Sequence, residues 1–326
     1  MQHAALALQR GALVGLPTET VYGLAADADQ PDAVTRIFDA KGRPKDHPLI
    51  VHLAGATPEQ WRAGVAHYAS ELPDFAEKLM AAFWPGPLTL ILPRQPDVGA
   101  AAAGGQDSIG LRCPAHPVAQ ALLQAAQTLG VYGVAAPSAN RFGRVSPTTA
   151  AHVQDEFAAT LSDDELVILD GGPCPVGIES TIVDCSRGRP VLLRPGMISV
   201  EALEAVCGLA LGQRDKAAPK ASGTLESHYA PTARVRLMGH AEMQATLDIM
   251  GADARHIAIY TRQPISSVSQ HLLLRYMPLQ ADACAQELFA TLRELDQANI
   301  KLIWVETPPE SPDWEGVRDR LQRAAA

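Results

Sequence analysis

Between Gly15 and Leu53 the chain changes character four times, and each change narrows what it can fold into. The apolar run Leu13 to Leu16 stops at Pro17, the pattern of a buried strand feeding the polar turn Thr18-Glu19-Thr20. Asp32 to Ala40 then places Val34, Ile37 and Phe38 at spacings of three and four, the period of an amphipathic helix. Gly42 permits a left-handed backbone just past that helix and Pro44 forbids its continuation, so Lys41, Arg43 and Lys45 fall on a loop. From Pro48 the sequence Leu-Ile-Val-His-Leu reads as a second buried strand. Two strands delivering a polar turn and a cationic loop are the layout of a site for an anion. The charges alone do not specify one, because Asp39 and Asp46 lie among the cations and a mixed run is commonly a solvated face.

The pattern of short apolar runs ending on polar residues recurs downstream. Thr57-Pro58-Glu59-Gln60 has the spelling of a capped helix start. A helix over Leu72 to Phe83 breaks at Trp84-Pro85-Gly86-Pro87, where Trp84 reads as a wall of the core rather than a stacking platform, and Leu88 to Leu92 follows as a strand. The strand Ser108 to Arg112 ends on a guanidinium suited to phosphate or carboxylate. After a helix from Pro117 to Leu129 and a strand from Val131 to Ala136 comes Pro137-Ser138-Ala139-Asn140, whose small residues allow close backbone approach to a ligand. Ser146-Pro147 reads as the opening of a helix to about Phe157, and Leu166 to Leu169, Ile182 to Asp184 and Val191 to Arg194 as further strands, the last again ending on a cation. Strands of this kind interleaved with helices imply a mixed α/β sheet with one binding face.

A chain of 326 residues exceeds what one core usually supports, so two domains are expected. Gly212 to Pro231 is rich in Ala, Pro, Gly and charge without hydrophobic period, and marks a linker. The expected division is a catalytic domain over 1–211, a linker over 212–232 and a second domain over 233–326. In the last part strands and helices alternate again, including a helix from Ala283 to Ala298, which predicts a small Rossmann-like α/β domain without G-x-G-x-x-G or Walker loop. Hydrophobic residues at 47% exclude a disordered chain, and a net charge of −9 disfavours non-specific nucleic-acid binding. The five cysteines show no C-x-x-C pair, so neither a disulfide framework nor structural zinc is indicated, and a reducing cytoplasm fits. Met1 to Arg10 lacks a cationic leader and reads as a surface helix; no run reaches the ~20 apolar residues of a membrane span.

The ordered pieces PTETVYGL (Pro17 to Leu24), KGRP (Lys41 to Pro44), PLIVH (Pro48 to His52), FWPGPLTLIL (Phe83 to Leu92), GLRCP (Gly110 to Pro114), APSAN (Ala136 to Asn140), STIVD (Ser180 to Asp184) and LRPG (Leu193 to Gly196) resemble the YrdC/Sua5 family. SHYAP (Ser227 to Pro231) extends the likeness to the long, Sua5-type form. The resemblance implies a twisted mixed sheet with an open cleft, and an L-threonylcarbamoyladenylate synthase. Such a nucleotidyltransferase converts L-threonine, bicarbonate and ATP into threonylcarbamoyl-AMP and pyrophosphate for the threonylcarbamoyl modification of tRNA adenosine 37. By position it implies that Thr20, His52 and Ser180 bind threonine. It likewise implies that Arg43, Ser138, Asn140 and Arg194 contact the nucleotide, with Lys41 and Arg112 beside them, His47 where relatives often carry Asn, and His228 on the linker. Lys41 and Arg43 are the expected catalytic cations.

The chemistry sets its own demands. Attack on the α-phosphate with loss of pyrophosphate accumulates negative charge, and one cation at about 4 Å contributes ~4 kcal/mol at an effective dielectric near 20, so several are needed. No D-x-D or other acidic metal motif appears, so Mg²⁺ is expected to be carried with ATP. The product would pass to a downstream tRNA threonylcarbamoyl transferase, without stable nucleic-acid binding by this chain and without a membrane. The linker is expected to fold over the cleft as a lid. Two other readings compete. A carbamoyl-transfer enzyme of hydrogenase maturation shares the domain but adds zinc-finger modules, and an RNA-binding module could use the same cationic cleft.

Overall fold

The computed structural model describes residues 1–225, 227–296 and 299–326. They divide into two units, Met1–Phe142 with Ser146–Thr224 and Leu225–Ala326 with the loop Gly143–Val145. In chain order the first unit contains α1 (Gln2–Gln9), β1 (Leu13–Leu16), β2 (Gly23–Asp27), α2 (Pro31–Lys41), β3 (Ile50–Leu53), α3 (Pro58–Tyr68), α4 (Asp74–Phe83), β4 (Leu88–Pro93), β5 (Ser108–Arg112), α5 (Pro117–Gln127), β6 (Gly133–Ala135), α6 (Ala150–Phe157), β7 (Leu166–Ile168), β8 (Thr181–Asp184), β9 (Val191–Arg194), α7 (Val200–Cys207) and β10 (Gly212–Gln213). Among the described residues its strands form one ten-stranded sheet in the order β10-β9-β8-β4-β5-β3-β6-β2-β1-β7. The sheet is mixed: β3 runs parallel to β5 and β4 to β8, while β4–β5, β3–β6 and β8–β9 are antiparallel.

Alternation along the strands gives the two faces different fates. Val51, Leu53, Leu88, Leu90, Leu92, Ile109, Leu111 and Val183 point into one core with Trp61, Leu79 and Met80 of α3 and α4. On the opposite face, α1 and α5 cover β1, β2 and β6 through Ala4, Leu8, Leu122, Val14, Ala25 and Val134. That helical cover stops at β6. Ile50 and His52 of β3, Gly110 and Arg112 of β5 and Thr89 and Ile91 of β4 occupy the part of this face beyond it, and they form the floor of the site. The helix α1 is therefore not simply a surface element, since Ala4, Ala5, Ala7 and Leu8 are buried.

Local chemistry sets the boundaries. Gly42 caps α2 at φ 62°, and Arg43 N–H bonds back to Phe38 O, which turns the loop out of the helix. The capping box of Thr57 and Gln60 starts α3 with Pro58 in its first turn. The helix expected from Ser146 begins only at Ala150, capped by the Thr149 side chain, because Ser146 Oγ donates instead to Glu179 Oε1 at 2.5 Å.

In the second unit β11 (Arg234–Met238), α8 (His240–Met250), β12 (Ile257–Thr261), β13 (Leu273–Tyr276), α9 (Ala281–Leu295), β14 (Leu302–Glu306) and α10 (Glu315–Ala325) alternate as expected. Its strands lie wholly parallel in the order β11-β14-β12-β13 over a core including Met238, Leu247, Ile259 and Trp304. The expected end of α9 at Ala298 lies outside the described residues. The segment expected as a linker from residue 212 to 232 is divided: Gly212 pairs with Val191 of β9, and the stretch to Thr224 belongs to the first unit.

Candidate active site

The loops at the margin of the floor bring the predicted residues together in two groups. Around the turn after β1, Thr18 Oγ and Thr20 Oγ lie 2.9 Å apart, and Arg112 Nη1 donates to Thr20 Oγ1 at 2.8 Å. Arg112 Nη2 stands 2.7 Å from Glu19 Oε1, the other Glu19 oxygen accepts from Ala115 N–H at 3.0 Å, and Arg112 Nε donates to Gly86 O at 3.2 Å. A side chain on Gly86 would put its Cβ 2.3 Å from Phe83 O, so only glycine fits this turn. Arg112 is thus held by a carboxylate and faces the threonine turn. His52 lies directly beside it in register. Burial, reinforced by the Arg112 guanidinium, pushes the His52 pKa down to about 3, so the imidazole is neutral. Its Nδ1 is 3.2 Å from Ile50 O.

The second group is cationic. Arg194, ending β9, donates through Nε and Nη2 to Ser180 O at 3.0 and 2.9 Å and through Nη1 to Ser222 O at 2.8 Å. Ser180 Oγ also meets Thr89 Oγ1 at 2.8 Å, so β4, β9 and the residue just before β8 each contribute to one polar cluster. Arg43 Nη2 donates to Pro48 O at 3.0 Å and to Ser222 Oγ at 3.4 Å, with its guanidinium over the Phe142 ring. Lys41 Nζ is buried and donates to Ser138 O at 2.6 Å and to Asn140 O. Burial, then the neighbouring Arg43 charge, hold the Lys41 ammonium well below its ordinary pKa. Lys41 therefore ties the helix α2 to the Ser138–Asn140 turn. Asn140 Nδ2 donates to Arg141 O, and His47 packs edge-on against Phe142 at 5.4 Å. His47 is lowered in pKa by burial and by Arg43.

Residues 218–222 lie across the floor. Ala218 and Ala221 pack with Ile91, Ile182 and Leu193, and Gln106 bonds both the N–H and the carbonyl of Lys220. A narrow recess between this strap and the floor is lined by Ile50, Thr89, Gly110, Ile182 and Ser222, among others. His228 belongs to the second unit, buried there beside Tyr229, with its N–H donating to Arg323 O. Sequence reasoning passed over Glu19, Thr89, Ser146, Glu179 and Ser222. Glu19 carried a signal, an acid inside a turn of threonines near a strand-ending arginine. Thr89 carried none, and Ser222 only its place in the segment expected to fold over the cleft, since each acquires its partners through pairing distant in sequence. Trp84 is core, donating to Leu88 O and edge-on to Trp61.

Converging guanidinium groups beside a cluster of hydroxyls, on one face of a mixed sheet, define an α/β protein with one cationic, hydroxyl-lined site. Residues 6–196 match the family model Sua5_yciO_yrdC, described as telomere recombination, and residues 198–326 match Sua5_C, described as the threonylcarbamoyl-AMP synthase C-terminal domain. The chain belongs to the Sua5/YrdC family. It is 37% identical over 331 residues to the threonylcarbamoyl-AMP synthase of Bacillus subtilis, covering 99% of this chain and 92% of that protein. It is 35% identical over 329 residues to the synthase of Pyrococcus abyssi, covering 98% and 92%. The crystal structure of P. abyssi Sua5 complexed with L-threonine superposes with a TM-score of 0.87 at 34% identity, over 99% of this chain and 93% of that one. No helix among the described residues is long and apolar enough to cross a membrane.

Proposed function

We propose that the chain is an L-threonylcarbamoyladenylate synthase, a nucleotidyltransferase that joins L-threonine, bicarbonate and ATP into threonylcarbamoyl-AMP with release of pyrophosphate. The observation that carries this reading is the meeting of Arg43 and Arg194 at Ser222, next to the Ser180–Thr89 hydroxyl pair and on the floor shared with His52 and Arg112. Phosphate oxygens of ATP would take the place of Ser222 as acceptors for both guanidinium groups, which bring planar donor forks suited to them. The Ser138–Asn140 turn would line the nucleotide with His47 beside it, and Lys41 would hold that turn while adding charge. Ligand phosphate beside Lys41 would favour its protonated form.

Threonine would bind around Thr20, His52 and Ser180. A neutral His52 can accept or donate one hydrogen bond without competing for the carboxylate, leaving charge recognition to Arg112. Threonine's amine forms a carbamate with bicarbonate or CO₂, so the protein's task is to orient that carbamate against the α-phosphate and offset the developing charge. Among the described residues no group of three or more His, Cys, Asp or Glu side chains is placed to hold a metal ion. Mg²⁺ would enter as part of the substrate, chelated to ATP.

The functional division would keep catalysis in residues 1–211. The adenylate would pass to a tRNA threonylcarbamoyl transferase in the cytoplasm. An RNA-binding module is not favoured, because the cleft cations are only 2–7% exposed, out of reach of a duplex backbone. The test is pyrophosphate release from ATP. It should require both L-threonine and bicarbonate, and release that needs neither would refute the synthase.

A further inference from the structure

The strap over the floor and the residues beneath it all belong to the first unit. Ser222 satisfies the guanidinium groups of Arg43 and Arg194. Two residues upstream, the backbone of Lys220 satisfies a different group. Its N–H donates to Gln106 Oε1 at 2.7 Å, and Gln106 Nε2 donates to its carbonyl at 3.2 Å. The amide is oriented by a further acceptor, since Nε2 also donates to Ala103 O at 3.4 Å. Gln106 therefore presents one donor and one acceptor side by side, at the edge of the recess that it lines with Ile50, Ile91 and Gly110. The ion pair of Lys220 with Asp46 that helps to hold the strap there is 60% and 59% exposed, the kind that contributes little.

The floor beside Gln106 is flat for a reason that the fold itself does not supply. Gly110 lies in the middle of β5, in register with Ile50 and Ile91. Its backbone is outside the left-handed region, and a Cβ there would meet only ordinary contacts, 3.5 Å from Thr89 Cγ2 and 3.6 Å from Ile50 Cγ1. An interior glycine weakens a strand, and with neither strain nor crowding to require it, its use is to let a ligand lie close on the sheet. We propose that Gln106 selects adenine. With the strap displaced, the base lies on the Ile50–Gly110–Ile91 floor, its amino group donates to Gln106 Oε1, and the adjacent ring nitrogen accepts from Nε2. The Lys220 backbone presents this same donor and acceptor to Gln106. Guanine has its O6 where adenine has the amino group, so two acceptors would face each other, and Ala103 O keeps the amide from turning over. This inference rests on ATP being the substrate, as in the proposed function.

The test uses the full chain and reads the ratio of the KM values for GTP and ATP, which cancels any common effect of loosening the strap. Wild-type protein should favour ATP about ten- to a hundredfold, in KM for pyrophosphate release and in calorimetric affinity, the discrimination of one bidentate pair against the wrong base. Gln106→Ala should bring the ratio to within about twofold of unity. Lys220→Ala removes the pair with Asp46 but keeps the backbone groups, so it should shift both nucleotides alike and leave the ratio at its wild-type value. Wild-type protein that does not discriminate, a wild-type ratio in Gln106→Ala, or an equal fall of the ratio in Lys220→Ala would overturn the proposal. Pyrophosphate release that ignores threonine and bicarbonate would instead refute the synthase. The two nucleotide affinities, measured by calorimetry without threonine, would still read Gln106.

Discussion

The Glu19–Arg112 pair gives the sharpest quantitative expectation. The two side chains are 8% and 4% exposed and 2.7 Å apart, so neither charge has water to fall back on. Removing one member of a buried pair typically costs about 3–5 kcal/mol, most of it the penalty for the charge left behind. Glu19→Ala should fall in that range, because Arg112 would retain only the neutral acceptors Thr20 Oγ1 and Gly86 O. Glu19→Gln keeps an acceptor for Ala115 N–H and should lose about 1–3 kcal/mol. The exposed pair Arg62–Glu77 has the same 2.7 Å separation at 50% and 40% exposure, so it serves as the control; Glu77→Ala should cost no more than about 1 kcal/mol. Urea unfolding followed by circular dichroism measures all three. Since Arg112 also holds Thr20, Glu19→Gln should raise KM for L-threonine about tenfold, one hydrogen bond's worth, while KM for ATP moves little. A Glu19→Ala loss no larger than that of Glu77→Ala, with unchanged threonine KM, would refute the argument that burial makes this pair matter.

Arg43→Lys keeps the charge but gives up the planar fork directed at Pro48 O and Ser222 Oγ, and it should lose most of the pyrophosphate-release rate; near-wild-type turnover would remove Arg43 from the phosphate site. Among wrong amino acids serine should be used best, because it keeps the hydroxyl and gives up a methyl worth about 1 kcal/mol. Valine leaves the pocket's polar groups unmatched, and competition assays showing valine turned over as well as serine would contradict such a pocket. His52 titrates at about 3 in the folded protein against 6.5 in its reference state, so the unfolded chain takes up a proton first as pH falls. Its contribution to stability is complete above pH 6.5 and declines by about 1.4 kcal/mol per pH unit from there toward pH 3. His52→Gln should show a flatter decline over that window in urea titrations at several pH values; identical slopes would mean that His52 is not buried in the neutral form.

What could be read from the sequence, and what could not, follows from how far each residue's environment reaches along the chain. Arg43, Arg112 and Arg194 were visible because each follows a break or ends an apolar run, and a cation placed there by local chemistry has few apolar neighbours to hide among. β2 was missed because Gly-Leu-Ala-Ala-Asp has none of the β-branched residues that mark a strand; it is a strand because β1 and β6 pair with it and all five residues are buried. Ser146 looked like a helix cap until Glu179 claimed its hydroxyl. Arg112 could be placed at a site but not given its partners, Glu19 and Thr20, which lie 92 or more residues away in sequence. The same holds most strongly for Arg144 and Asp296, which are 152 residues apart. A composition shift marks where one domain gives way to the next, yet the loop that the second domain holds lies inside the sequence of the first, where no local pattern distinguishes it. Motifs of this kind report what the ligand demands of the chain. Which distant side chains hold those motifs in place is decided by packing and pairing, and the physical test for such residues is coupling between substitutions rather than the loss caused by any one.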